Sequence, residues 1–185
     1  TVVSEEWDLL LVQESRLGQG VDATKEVLDD IAERGWEIWR GAVTASGVCL
    51  VAVVAKSGWV RCWEEPAGVP KGRMQLITWF PGGGDPIHIC NLYCRCGKGW
   101  GITEETTKLV RAGVEWAQSL GAVPALVCGD LNRELDELGC IAELTLGGWE
   151  DLGSGPTCVV EGTRWPRRID VLLANNALRA RAGGV

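Results

Sequence analysis

Hydrophobic positions in this chain fall into short continuous runs broken by Gly- and Pro-rich turns, and in two places into helical spacing. Residues 7–13 are almost all apolar over the length of one strand, the pattern of a strand covered on both faces, which predicts a central place in a sheet. Asp22 offers a helix cap, Val27, Leu28, Ile31 and Ala32 recur at helical spacing, and Gly35 closes the helix. From residue 36 the period changes, and strands are predicted over 36–43, 47–55, 59–63, 73–80 and 86–94. A loop at 97–101 follows. A second helix starts at Thr103, with Glu104 and Glu105 at the positive end of its dipole, and carries Leu109, Gly113, Trp116, Ala117 and Leu120 on one face as far as Gly121. A strand at 125–128, a short helix around 134–138, a turn at Gly147-Gly148 and strands near 157–160 and 169–173 complete the reading. Many strands with few helices and no regular alternation predict a layered α/β fold built on mixed sheets.

Composition narrows this picture. At 185 residues with 46% hydrophobic and 23% charged, the chain reads as a single domain spanning 1–185. It has no apolar segment near the roughly 20 residues of a membrane helix and no basic-then-apolar start, so it is expected to be intracellular, nuclear or cytoplasmic, not secreted, and without a membrane partner. Of the eight cysteines, Cys49, Cys90, Cys128 and Cys158 sit in or beside strand-like runs, which predicts reduced thiols acting as small hydrophobes. His88, Cys90, Cys94 and Cys96 lack the paired spacing of a zinc site. The net charge of -7 argues against holding nucleic acid by phosphate neutralisation alone. A metal ion can supply the missing charge, and Arg164, Arg167, Arg168, Arg179 and Arg181 gather late in the chain, either for a phosphate backbone or as a solvated face. Ten tryptophans stand against one Phe and one Tyr; Trp36, Trp39, Trp79 and Trp116 occupy core-like positions, with packing the default over base stacking.

The chemistry gathers on Val127-Cys128-Gly129-Asp130-Leu131-Asn132. Residues two apart in extended backbone project to one side, so Asp130 and Asn132 can converge on one group, and Gly129 clears space beside them. A turn with a helix cap is the competing reading of the same residues. Other polar groups lie in or at the ends of apolar runs: Glu14 after residues 9–13, Asn91 and Tyr93 within 87–93, and Arg168-Ile169-Asp170 before 171–173.

Taken in order, Gln13-Glu14, Asn91-Leu92-Tyr93, Gly129-Asp130-Leu131-Asn132 and Arg168-Ile169-Asp170 resemble the motifs of the exonuclease/endonuclease/phosphatase superfamily over nearly the whole chain. Residues 12–17 and 47–53 are most similar to its LINE-type retrotransposon branch, beside the apurinic-type endonucleases. The resemblance implies a four-layered α/β sandwich of two mixed β-sheets flanked by helices. It also implies a magnesium-dependent phosphodiesterase, with manganese as substitute, acting on a nucleic-acid backbone, DNA in preference to RNA, with no obligate protein partner. Glu14 would be the metal ligand, Asp130 would orient or deprotonate water, Asn132 would bond a phosphate oxygen and Tyr93 would donate to developing charge. Asn91 and Thr157 would support the site, and Asp170 matches an aspartate that pairs with a catalytic histidine. That histidine belongs to a Ser-Asp-His motif, and the first family strand carries an Asn; neither is present, so the resemblance implies a domain shortened at both ends. A phosphomonoesterase of phosphoinositides or small phosphates and a non-catalytic binding module are the alternatives.

Overall fold

The computed structural model describes residues 7–18, 21–56, 59–82, 84–159 and 166–182, with side chains in the first helix from residue 24 onward, so the Asp22 cap, Arg164 and residue 160 of the predicted 157–160 strand lie outside the described set. Among the described residues nine strands form two sheets. The smaller sheet has the order β1(Leu9–Leu17), β3(Cys49–Ala55), β2(Glu37–Arg40), all antiparallel. The larger runs β4(Trp59–Trp63), β5(Met74–Phe80), β6(Ile87–Tyr93), β7(Ala125–Asp130), β9(Asp170–Ala174), β8(Glu150–Asp151) and is mixed, because β6 and β7 are parallel. Their crossover is the helix α2(Trp100–Ser119), the connection a parallel pair requires.

Each face of each sheet is covered, which gives four layers. Outside the small sheet lies α1(Val21–Glu33), where Ile31 packs with Trp36, Val54, Leu10, Val12 and Ile38. Between the sheets Val53, Ala55, Ile77, Ile89 and Cys128 meet Leu9, Leu11, Trp39 and Trp79. Beyond the large sheet, Leu76, Cys90, Leu92 and Val127 pack against Leu109, Val110 and Val114 of α2, and Leu144 of α3(Ile141–Leu146) joins them. A final helix, α4(Asn176–Ala182), follows β9. Trp36 is buried, and Trp39, Trp79 and Trp116 pack partly buried against the cores. All eight cysteines are free.

One expectation is corrected. The apolar run at 7–13 is covered on both faces, since Leu9 and Leu11 face the large sheet while Leu10 and Val12 face the α1 side. Yet β1 lies at the edge of its sheet, with β3 as its only strand neighbour among the described residues. Continuous apolarity records burial by layers above and below; it carries no information about neighbours within the sheet. Two boundaries also move. Helix α2 begins at Trp100 with Gly99 at its cap position, not at Thr103, and Cys158 makes only an isolated bridge to Arg167. Among the described residues no helix is long and apolar enough to cross a membrane.

Candidate active site

Register brings the predicted residues together. In the parallel pair Tyr93 lies opposite Asp130, and in the antiparallel pair Asp130 lies opposite Asp170, so three polar groups occupy neighbouring strand ends of the large sheet. Gly129 allows this closeness: it has φ +136°, and an added Cβ would fall 2.0 Å from the Leu92 carbonyl oxygen. Glu14 comes from the other sheet, at a bulge where the β1 register shifts between Gln13 and Leu17 and where Glu14 and Arg16 adopt φ of 51° and 50°. Positive φ is uncommon for such residues and marks local strain, which clusters at functional sites. The fully buried Asn91 ties the two sheets: its amide donates to the carbonyls of Val12 (3.3 Å) and Ala52 (3.2 Å) and accepts from Gln13 Nε2 at 2.6 Å.

Electrostatics report the same convergence. The Asp130 carboxyl is held above the usual carboxylate range by burial, then by the charges of Asp170 and Glu14, against the pull of two hydrogen bonds from Asn132. The Tyr93 phenol is raised by burial and then by Glu14, Cys96 and Asp130, with Arg73 opposing. Glu14 therefore shares one field with Tyr93 and Asp130. Asn132, at φ 52°, donates its backbone N–H to Asp130 Oδ1 (2.8 Å) and its amide to Asp130 Oδ2 (3.1 Å) and the Cys94 carbonyl (2.9 Å). Both amide hydrogens thus have acceptors, and in this geometry Asn132 fixes Asp130 rather than offering a donor to phosphate. Thr157 Oγ1 accepts the backbone N–H groups of Ile169 and Asp170, both at 3.1 Å, and pins the start of β9.

The fold that carries these residues recurs in solved structures. The endonuclease domain of TRAS1, a telomere-specific non-LTR retrotransposon, is 16% identical and matches with a TM-score of 0.57 over 89% of this chain and 84% of that one. An endonuclease/exonuclease/phosphatase from Beutenbergia cavernae is 16% identical, with a TM-score of 0.61 over 91% of this chain and 55% of that one. This is the endonuclease/exonuclease/phosphatase fold. A D. rerio TDP2 complexed with single strand DNA product shares it, 16% identical with a TM-score of 0.61 over 91% of this chain and 70% of that one. No family model and no curated protein matches the sequence.

On this endonuclease/exonuclease/phosphatase fold, a cavity of about 660 Å³ opens beside the strand ends, lined by Glu14, Tyr93 and four cationic residues, Arg16, Lys71, Arg73 and Arg95, among others. Its wall takes in Glu14 and Tyr93 and stops short of Asp130, Asn132 and Asp170. Arg16 is ion-paired with Glu14, and the Arg73 guanidinium stands 5.2 Å from the Tyr93 ring centroid. Sequence reading missed these cations: Arg16 follows Glu14 by two residues, but both turn the chain at positive φ, and Arg95 lies beyond the end of β6, so the same-face spacing of an extended strand applies to neither. It looked instead to the late arginines, and the four of them among the described residues are engaged elsewhere. Arg167 pairs with Glu134 and Glu137, Arg168 with Asp151 (2.7 Å), Arg179 with Glu150, and Arg181 donates to the Asp85 carbonyl (2.9 Å). A second missed residue is the buried Arg133, which donates to the carbonyls of Asn132 (2.8 Å) and Gly97 and to Thr103 Oγ1 (3.2 Å), tying the Asp130–Asn132 turn to the loop after β6 and to α2. The sole histidine, His88, starts β6, bonds Thr78 at 2.9 Å and packs against Trp116. Five steps of strand separate it from Tyr93, about 17 Å, so it stands apart from the site.

Proposed function

We propose that this chain is a magnesium-dependent phosphodiesterase that hydrolyses a nucleic-acid backbone, DNA in preference to RNA, in the manner of a retrotransposon-type endonuclease. The observation that carries the reading is the meeting of Glu14, Tyr93, Asp130 and Asp170 in one electrostatic neighbourhood at the edge of a cation-lined cavity. The TRAS1 endonuclease domain and the TDP2 structure with a single-stranded DNA product support the substrate class, and TRAS1 supports the branch.

The donor set fits a hard divalent cation. Glu14 and Asp170 both raise Asp130, so the carboxylates are held near one another at a cost that a cation relieves. Among the described residues no three His, Cys, Asp or Glu side chains form a cage. Magnesium suits such a site, because it keeps several waters and takes one or two carboxylates together with substrate phosphate. Glu14 would hold it, exchanging Arg16 for the ion, and the ion would supply positive charge at the scissile phosphate. Asp130, held by Asn132 and made more basic by burial, accepts the proton of the attacking water. Tyr93 donates its phenolic hydrogen to the charge that develops on the phosphate oxygens. Arg16, Lys71, Arg73 and Arg95 meet the flanking backbone, which reconciles a net charge of -7 with a polyanionic substrate.

The Arg16–Glu14 ion pair favours one competing reading, a scaffold that binds nucleic acid without cutting it. Nicking of supercoiled plasmid with millimolar magnesium, with Asp130→Ala as the blank, separates the two. Hydrolysis above the blank, lost in Glu14→Gln, is the expected result. In parallel, magnesium should raise the melting temperature of the wild type, by up to about 2.7 kcal/mol of stability at 100 times its Kd, and leave Glu14→Gln unmoved. Plasmid left intact and a midpoint indifferent to magnesium would leave the binding scaffold standing.

A further inference from the structure

We propose that the loop carrying Arg95 and Lys98, together with Trp100 at the start of α2, binds unpaired nucleotides, with Trp100 as the platform on which a base stacks. The proposal rests on the reading of the neighbouring site as a nucleic-acid site. It starts from an indole in an unfavourable place: Trp100 is 82% exposed, more than the other solvent-reaching aromatic rings among the described residues, Trp59 at 59% and Trp7 at 44%. A single exposed hydrophobic side chain is ordinary, but a large ring gains more from being covered than most side chains do, and this one stands beside cations of the site. Trp59 has one within the molecule, stacked on Phe80 with centroids 3.8 Å apart and planes 12° apart. Among the described residues no aromatic ring lies against Trp100.

The loop is fastened to the site from both directions. Cys96 Sγ donates to Asn132 Oδ1 at 3.0 Å, and the buried Arg133 guanidinium bonds the Gly97 carbonyl. Arg95 lines the cavity beside Tyr93, paired at 3.3 Å with Glu105, while its side chain stays 57% exposed. Lys98, also exposed, lies between Arg95 and Trp100. From Cys96 to Trp100 the chain spans at most about 14 Å, roughly four steps of a stacked strand at about 3.4 Å each. A base on Trp100 therefore belongs to the same short stretch of strand as a phosphate at Tyr93. Cations along a backbone track interleaved with an aromatic platform are the way proteins hold single strands, and stacking tolerates any base because each has a π face. A base inside a duplex has both faces covered by its neighbours, so this platform selects strands, or local regions, whose bases are free.

The test is fluorescence anisotropy of a labelled 12-nucleotide single-stranded DNA, without metal so that nothing is cut. Trp100→Ala should weaken binding roughly 5- to 150-fold, the range for loss of one stacked base, while Trp100→Phe keeps most of the affinity. A 12-mer of abasic units should bind wild type and Trp100→Ala alike, and a blunt duplex should be indifferent to the substitution. Circular dichroism of Trp100→Ala should match wild type, since the ring packs little in the fold. Wild type that does not bind the strand, an unchanged Kd for Trp100→Ala, or an equal loss on the abasic strand or the duplex would overturn the platform. Turnover plays no part in the measurement: a chain that fails to nick plasmid and passes here loses only the hydrolytic reading, and one that nicks and fails here loses only the platform.

Discussion

A methyl group at Gly129 would lie 2.0 Å from the Leu92 carbonyl oxygen and 2.8 Å from its carbonyl carbon and amide nitrogen. These atoms are backbone in the middle of a six-stranded sheet, paired on both sides, and have no flexible end that can swing aside. Gly129→Ala therefore meets two costs. Holding a Cβ-bearing residue at φ +136° costs about 1–3 kcal/mol. Forcing the strands apart costs about 1–3 kcal/mol more, as overpacking of a core does. A loss near 4 kcal/mol corresponds to a fall of roughly 8–16 °C in melting temperature for a chain of this length. The control is Gly121→Ala, at φ +91° with nothing within 4 Å of the added carbon, which bears only the backbone cost, about 1 kcal/mol. Gly129 precedes Asp130 and its partner Leu92 precedes Tyr93, so relief of the clash displaces both site residues. A shift near 1 Å lowers turnover about 100-fold. Urea melts of both variants with plasmid-nicking rates measure the two effects. If Gly129→Ala matches Gly121→Ala in stability and retains full activity, the close approach of β6 and β7 does not set the site.

With Asp130 as the proposed base, active only when ionised, kcat/KM should rise with pH along an acid limb whose midpoint lies above the ordinary carboxylate value of about 3.9. Removing the neighbouring like charge with Asp170→Asn should move that midpoint to lower pH, and Asp130→Asn should erase the limb and lower the rate about 10²- to 10⁴-fold; a limb that stays in place in Asp170→Asn would separate the two carboxylates. Arg133→Met should cost about 2–4 kcal/mol in a urea melt, because it strips donors from the carbonyls of Asn132 and Gly97 in a site it fills while buried. Arg111→Met, which removes an exposed pair with Glu143, should leave the midpoint nearly unchanged; equal effects would refute the distinction.

Strands were legible wherever a run was long and its ends were punctuated. The stretch 59–63 is β4 to the residue, and β5 and β6 differ from expectation by a residue or so at their ends. What escaped was short or held from outside. Helix α3 is a six-residue piece, too brief for a periodic stripe, and β8 is a two-residue strand whose Asp151 is clasped by Arg168. Helix α4 has no buried residue and starts where Asn175 Oδ1 accepts the Leu178 N–H at 3.0 Å. At the site, Tyr93 and Asp170 were readable as strand-end groups; of the two readings of Asp130 and Asn132, a same-side pair in extended chain or a turn, Asn132 at φ 52° with its N–H on Asp130 Oδ1 makes the turn. The partition of the site residues was not readable: Glu14 sits on one sheet and the others on the second, a fact of tertiary docking that no local spacing encodes. The Arg16–Glu14 pair was equally hidden, because two positive-φ residues turn the strand there.

The ties between the sheets give this division a consequence for how the molecule comes into being and fails. Asn91 bonds Val12 and Ala52 across the layers, and Gln75 reaches the Trp39 carbonyl at 2.9 Å. Each sheet can satisfy its own ladder while the other is elsewhere, so strands and helices count only halfway toward a working centre. Glu14 meets Tyr93 and Asp130 at the moment the two halves dock, with Asn91 setting the alignment. Activity is then a gauge of docking rather than of secondary structure. In a gentle denaturant titration it should vanish while far-ultraviolet ellipticity persists, and Asn91→Leu should widen the gap between the two curves.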